Sequence, residues 1–124
     1  MEQSNVIELK PESNLSLYAR YVLEREGMEI IETDISFVTY YFVEKECYIK
    51  DVFVHPDHRK TGEATRLGDE ITKIAKLKGC TKLYGTICPS AKGSTESIQF
   101  LLSYGFKLDS SVANFIALVK EIEA

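Results

Sequence analysis

The stretch Ile35 to Val43 constrains the fold more than any other, because its β-branched and aromatic side chains fall at odd and even positions alike. A strand buries both faces only inside a sheet that carries further layers, so this segment is central. The polar link Glu44-Lys45-Glu46 is too short for a crossover. The next strand, Cys47 to Val54, therefore returns antiparallel beside it.

The remaining elements follow from periodicity. Val6 to Leu9 reads as a short first strand, and Pro11-Glu12-Ser13-Asn14 supplies helix-start chemistry. Leu15, Tyr18 and Val22 share one helical face with Leu17 and Tyr21 beside it, and Gly27 stands at the C-cap. Met28 to Ile31 is a strand, with Glu32-Thr33-Asp34 as the turn. Downstream, Ala64, Leu67, Ile71, Ile74 and Ala75 mark an amphipathic helix over Ala64 to Lys78 that stops at Gly79. Lys82 to Ile87 is a strand and Cys88 to Gly93 a loop. Ser94 can N-cap a helix through Tyr104 that buries Ile98, Leu101 and Leu102 and ends at Gly105. Phe106 to Leu108 and Val112 to Val119 close the chain as strands, the latter apolar enough to serve as a pairing edge for a homodimer. The order predicts a single α/β domain over residues 1–124, with a mixed, mostly antiparallel sheet flanked by helices.

Charge narrows the partners. Fifteen basic and nineteen acidic side chains give a net charge of −4, which argues against nucleic acid or an anionic membrane as partner and is compatible with a cationic substrate. Cys47, Cys80 and Cys88 form no C-x-x-C and are odd in number, a usage that suits a reducing compartment. The start, Met1-Glu2-Gln3-Ser4, lacks signal-peptide character, and no apolar stretch reaches bilayer length, so a cytoplasmic location is expected. His55 and His58 flank Pro56-Asp57 without further ligands at matching spacing, so no metal site is expected.

Between the central strand pair and the amphipathic helix lies Val54-His55-Pro56-Asp57-His58-Arg59-Lys60-Thr61-Gly62-Glu63-Ala64. A helix start offers unpaired N–H groups and partial positive charge, which suits a phosphate. Gly62 can take a positive φ and Ala64 adds little bulk where a backbone approaches a ligand closely. Of Arg59 and Lys60, one is read as a solvated loop charge, and Lys60 could meet a nucleotide phosphate. Neither a P-loop nor a dinucleotide fingerprint is present.

In this context Val54-x-Pro56-x-x-Arg59-x-x-Gly62-x-Ala64 resembles motif A of the GNAT superfamily of N-acetyltransferases. Leu101-Leu102-Ser103-Tyr104-Gly105-Phe106 is similar to that family's closing helix, whose motif ends in Gly-Phe. The resemblance covers about Ile35 to Val119 and implies a GNAT-like fold with a splayed strand pair, Asp51 to Val54 against Lys82 to Ile87. It implies acetyl-CoA as acyl donor, its pyrophosphate held by backbone N–H groups of Arg59, Lys60, Thr61, Gly62, Glu63 and Ala64. An N–H near Phe53 or Val54 would polarise the thioester carbonyl, and a small-molecule or peptide amine would attack it directly.

The chain departs from the pattern at three positions. Leu101 stands where many members carry an acid tyrosine, Ser94 where an asparagine bonds the pantetheine, and Lys50 where a glutamate acts as base. Asp51, one residue later and so expected on the opposite strand face, becomes the candidate base. Tyr104 is the candidate acid, although it lies about 60° from Leu101 around the helix and packing is the favoured use for it. Tyr40, Tyr41 and Tyr48 read as sheet packing, any one of which could hold an amine if it faced the groove; Cys88 lies near the expected thioester. The alternative is a catalytically weak or inactive module of the same fold that binds CoA or a protein partner.

Overall fold

The computed structural model of the chain describes residues 7–123. Strands β1 (Glu29–Glu32), β2 (Ser36–Val43), β3 (Glu46–Val54), β4 (Lys82–Ile87), β5 (Lys107–Val112) and β6 (Phe115–Glu121) form one sheet in the order β1-β2-β3-β4-β6-β5. Neighbours are antiparallel except β3 with β4, which run parallel. The helices are α1 (Leu17–Tyr21), continued by a π-helical turn at Val22–Glu26, then α2 (Glu63–Leu77) and α3 (Ser94–Tyr104). The mixed, mostly antiparallel α/β sheet expected from the sequence is the one observed.

The main core lies on the face covered by α2 and α3. Leu67, Ile71 and Ala75 recur at helical spacing along α2 and are fully buried against Val38, Tyr40, Cys47 and Ile49 of β2 and β3. Leu101 of α3 joins them, whereas Leu102, one step around the helix, is exposed. Each such side chain contributes about 1.5–3 kcal/mol on burial. A smaller cluster on the other face joins Ala19 and Val22 to Met28 and Ile30, with Leu15 and Phe37 at its margin. Its sheet partners come from β1 and β2, so this layer is short.

Several local expectations are corrected. Val6 lies outside the described residues, and Ile7 to Leu9 forms no strand, although the Lys10 N–H donates to the Glu32 carbonyl at 2.7 Å. Helix α1 starts after Ser16 rather than at Pro11 to Asn14, where only a 3-10 turn forms. The cause is distant in sequence: the buried Glu32 carboxylate takes the Ser16 N–H at 2.8 Å and its hydroxyl at 2.6 Å. That fixes Ser16 as the N-cap and turns Ala19 inward with Val22, leaving Tyr18 and Tyr21 half exposed. Near the C-terminus, β5 extends to Val112 and the turn falls at Ala113-Asn114. Most of Val112 to Val119 is therefore β6, paired on both sides, and it cannot be the edge available to a second copy.

The register of β2 against β3 sets up the site. Thr39 faces Asp51 but Tyr40 faces Ile49, so Lys50 is an extra residue on β3. This β-bulge leaves an N–H to satisfy, and the fully buried Thr39 hydroxyl accepts it from Asp51 at 3.1 Å. A bulge also shifts the alternation. Cys47 and Ile49 point into the core before it, Val52 and Val54 after it, and Lys50 and Asp51 are both exposed. The expectation that Lys50 and Asp51 take opposite faces is overturned by this extra residue.

Candidate active site

Parallel pairing of β3 with β4 ends at Ile49 and Gly85, where the bulge begins. Lys50 to Val54 then leave β4, and the expected splay is present. At the vertex a Cβ on Gly85 would lie 2.8 Å from Leu101 Cδ1, so only glycine lets α3 press onto the fork. The gap opens a groove of about 1380 Å³, larger than the roughly 300–1,000 Å³ of a pocket for one small molecule. Val54, Ala64 and Leu101 line it on the side of α2 and α3, and Phe37, Tyr48 and Asp51 on the other. A passage through the sheet suits two reactants arriving from opposite faces.

On the helical side the turn before α2 is built for an anion. Pro56–His58 form a 3-10 turn, and the Thr61 hydroxyl donates to the His58 carbonyl at 2.6 Å. Lys60 and Gly62 both adopt positive φ, 62° and 87°, which for Lys60 costs roughly 1–2 kcal/mol. That alternation forms a backbone concavity, and the N–H groups of Glu63, Ala64 and Thr65 at the start of α2 bond no carbonyl among the described residues. The Glu63 side chain turns away from it, accepting from Ser36 at 2.6 Å, Thr33 at 3.2 Å and Arg66 at 3.2 Å. Burial opposes its charge, but those hydrogen bonds and the Arg66 cation together hold the carboxyl below its usual range. Glu63 thus ties the turn to the β1–β2 connection and offers only its backbone to a ligand.

Arg59 acts as a clasp. Its Nε donates to the Val54 carbonyl at 3.0 Å and its guanidinium lies 5.4 Å from the Phe53 ring centroid. The cation nearest Gly62 is Arg66, whose Nη1 lies 3.1 Å from where a Gly62 Cβ would stand. Sequence reasoning missed Arg66, although one helical turn after Gly62 is the spacing that brings a side chain over a helix start.

Along β3 the His55 N–H is spent on the Ile35 carbonyl at 2.7 Å and the Asp51 N–H on Thr39, both toward β2. Amide groups alternate sides along a strand, so Val52 and Val54 direct theirs into the fork and Phe53 does not. On the open face Phe37 stacks on Phe53 with centroids 5.8 Å apart, and Tyr18 leans on Phe37 at 5.1 Å. Burial first, and then the Asp51 carboxylate, push the Tyr18 phenol up. Tyr41, Tyr48 and Tyr84 form a ladder across three strands with centroids 5.2 and 4.9 Å apart, and the Tyr48 hydroxyl donates to Glu46 at 2.9 Å. Tyr40, in contrast, is buried in the core.

The fork brings together Asp51, Phe53, Val54 and the turn residues Arg59, Lys60, Gly62 and Ala64. Tyr104 is elsewhere: its hydroxyl donates to Asp69 at 2.7 Å and meets Thr72 at 3.2 Å, and its ring presses on Gly68 of α2. Burial and the Asp69 hydrogen bond push it up to about 12, so the expected acid is a packing residue in this arrangement. Ser94 lines the groove as the first residue of α3 with Gly93 at the N-cap, and its hydroxyl donates to the Pro89 carbonyl at 2.9 Å. Cys88 also lines it, with Sγ 3.3 Å from Ser90 Oγ. His55 and His58 pack edge to face on the exposed turn with centroids 5.7 Å apart.

The sequence profile of the acetyltransferase (GNAT) family matches residues 8–106. No curated protein matches the chain. Among solved structures it is similar to an IAA acetyltransferase from Bacillus cereus, at 17% identity and a TM-score of 0.69 over 94% of this chain and 99% of that one. A GNAT family acetyltransferase from Elizabethkingia anophelis with acetyl-CoA bound matches at 17% identity and 0.68, over 93% and 96%. A PaiA N-acetyltransferase from Thermoplasma acidophilum in complex with coenzyme A matches at 14% identity and 0.69, over 83% and 68%. These likenesses concern the fold. With the family profile spanning most of its length, the chain belongs to the GNAT acetyltransferase family.

Proposed function

We propose that this chain moves an acetyl group from acetyl-CoA to an amine, with the donor on the helical side of the fork and the acceptor on the open side. The observation that carries the reading is the fork itself: unpaired β3 amides lie between an anion-ready helix start and a carboxylate. The backbone from Arg59 to Ala64 holds the pyrophosphate, with Lys60 and Arg66 supplying charge and Ser94 lining the path of the pantetheine arm. The Val54 N–H polarises the thioester carbonyl, an interaction worth about 3–4 kcal/mol in comparable sites. The amine nitrogen bonds to the carbonyl carbon as the C–S bond breaks. Asp51, directly or through water, takes the proton the nitrogen loses, and the departing thiolate takes one from solvent.

The same reading makes the chain one domain, cytoplasmic, with no metal and with a small-molecule or peptide amine as partner. Reduced Cys47 and Cys80 in the core agree with that compartment. Among the described residues, no helix is long and apolar enough to cross a membrane. A second reading, a CoA-binding module without turnover, is favoured by Leu101, an apolar side chain at the position of the family acid.

Calorimetric titration with acetyl-CoA tests both. Micromolar binding is expected for the native chain and is lost on Gly62→Glu, which sets a carboxylate among the N–H groups. Circular dichroism establishes that the variant is folded. Absence of binding to the native chain would overturn both readings, and binding without acetylation of any amine would leave the module.

A further inference from the structure

The acceptor side of the fork carries charges of both signs, next to each other. The bulge sets Lys50 and Asp51 together opposite Thr39, both exposed and both lining the groove. Adjacent opposite charges commonly neutralise one another, yet among the described residues neither side chain has an ion-pair or hydrogen-bond partner. Lys50 emerges on the face away from the turn before α2, so the pyrophosphate does not account for it. Around the two charges the wall is aromatic: Phe37 and Phe53 present rings without a polar atom, Tyr41 adds a phenol, and the Tyr48 hydroxyl is spent on Glu46.

We infer that the acceptor is an α-amino acid with an apolar side chain. Its ammonium meets Asp51, its carboxylate meets Lys50, and its side chain lies along the rings of β2 and β3. This rests on the acetyltransferase reading above and names its substrate class. A polyamine fits less well, because its second cation would have to pass Lys50 to reach a carboxylate such as Glu26, whose charge acts on Tyr18, or Glu96 on the groove wall. An amino sugar would set hydroxyls against Phe37 and Phe53, whose rings cannot bond them. The step balances: the ammonium first gives one proton to Asp51 or water, the neutral α-nitrogen then bonds the acetyl carbon as the C–S bond breaks and loses its second proton to water, and the CoA sulfur leaves as thiolate and takes one proton from solvent. The products are an N-acetyl amino acid and free CoA, so the charge at the nitrogen is lost while the carboxylate on Lys50 remains.

The test compares L-phenylalanine, L-phenylalaninamide and spermidine as acceptors with acetyl-CoA, following thiol release. Phenylalaninamide keeps the ammonium and the ring and lacks only the carboxylate. Phenylalanine is expected to exceed both in kcat/KM by about tenfold or more, the usual scale for losing one charge-assisted contact. In Lys50→Gln that preference over the amide collapses toward unity, chiefly through the KM for phenylalanine. Direct titration of phenylalanine into the CoA-bound protein shows the same loss of affinity without relying on turnover. Equal use of the amide by the native chain, or an unchanged ratio in Lys50→Gln, would overturn the inference while leaving the acetyltransferase reading intact. Failure of acetyl-CoA to bind would instead remove both.

Discussion

The two faces of the sheet meet at the fork and are built from different materials. On the helical side the ligand-facing atoms are backbone, held by a buried core and by Glu63, whose carboxylate is bonded by Ser36, Thr33 and Arg66. On the open side they are exposed side chains, Lys50, Asp51 and Phe53, on strands backed only by α1 and its π-helical turn. Backbone amides recognise a constant group such as a pyrophosphate whatever side chains surround them. Side chains on a thin scaffold can be exchanged singly, so the variable reactant belongs there. On the proposed reading, one face keeps the donor and the other chooses the acceptor.

Substitutions can break this contrast, and the largest effect is expected in the core. Leu67→Ala removes a fully buried side chain under α2 and should cost about 2–5 kcal/mol, whereas Leu17→Ala on the exposed flank of α1 should stay within about 0.5 kcal/mol. Urea unfolding of both variants checks it, and comparable losses would mean that the open face is as firmly built as the other. Next is Gly85→Ala, whose methyl would sit 2.8 Å from Leu101 Cδ1. A loss of about 1–3 kcal/mol is expected, largely relieved when Leu101→Ala is added, and the double-mutant cycle measures that relief. The smallest effect, about 1 kcal/mol, is expected for Glu63→Gln. The folded-state pKa of Glu63 lies below its unfolded value near 4.5, so its stabilisation is complete above that pH and is lost as pH falls through the folded value. Thermal melts from pH 7 to pH 3 should therefore show a shallower decline for Glu63→Gln than for the native chain. Parallel curves would detach Glu63 from the turn.

What the sequence revealed and what it hid divide along a similar line. Strand alternation in Ile35 to Val43 and the leucine–isoleucine spacing of α2 are local, and both elements formed within a residue or so of expectation. The turn through Gly62 was legible because positive φ and small side chains leave a compositional trace. Ser16 as the start of α1 was not, because the carboxylate that selects it lies on the far end of β1. The bulge was hidden for the same reason: nothing near Lys50 announces it, and the group that stabilises it is a hydroxyl on another strand. Tyr104 shows the limit of angular reasoning. Its offset from Leu101 was correct, but only Gly68, Asp69 and Thr72 on α2 reveal what claims it.

The extra residue on β3 also sets how such a site can diverge. Replacing Lys50, Asp51 or Phe53 alters one contact at a time and leaves the frame standing. Deleting Lys50 would instead restore an unbroken ladder: Val52 and Val54 would still face the core and Asp51 and Phe53 the open side, but the irregularity at which β3 leaves β4 would be gone. Descent along this strand can therefore proceed by exchange of letters but not by change of count.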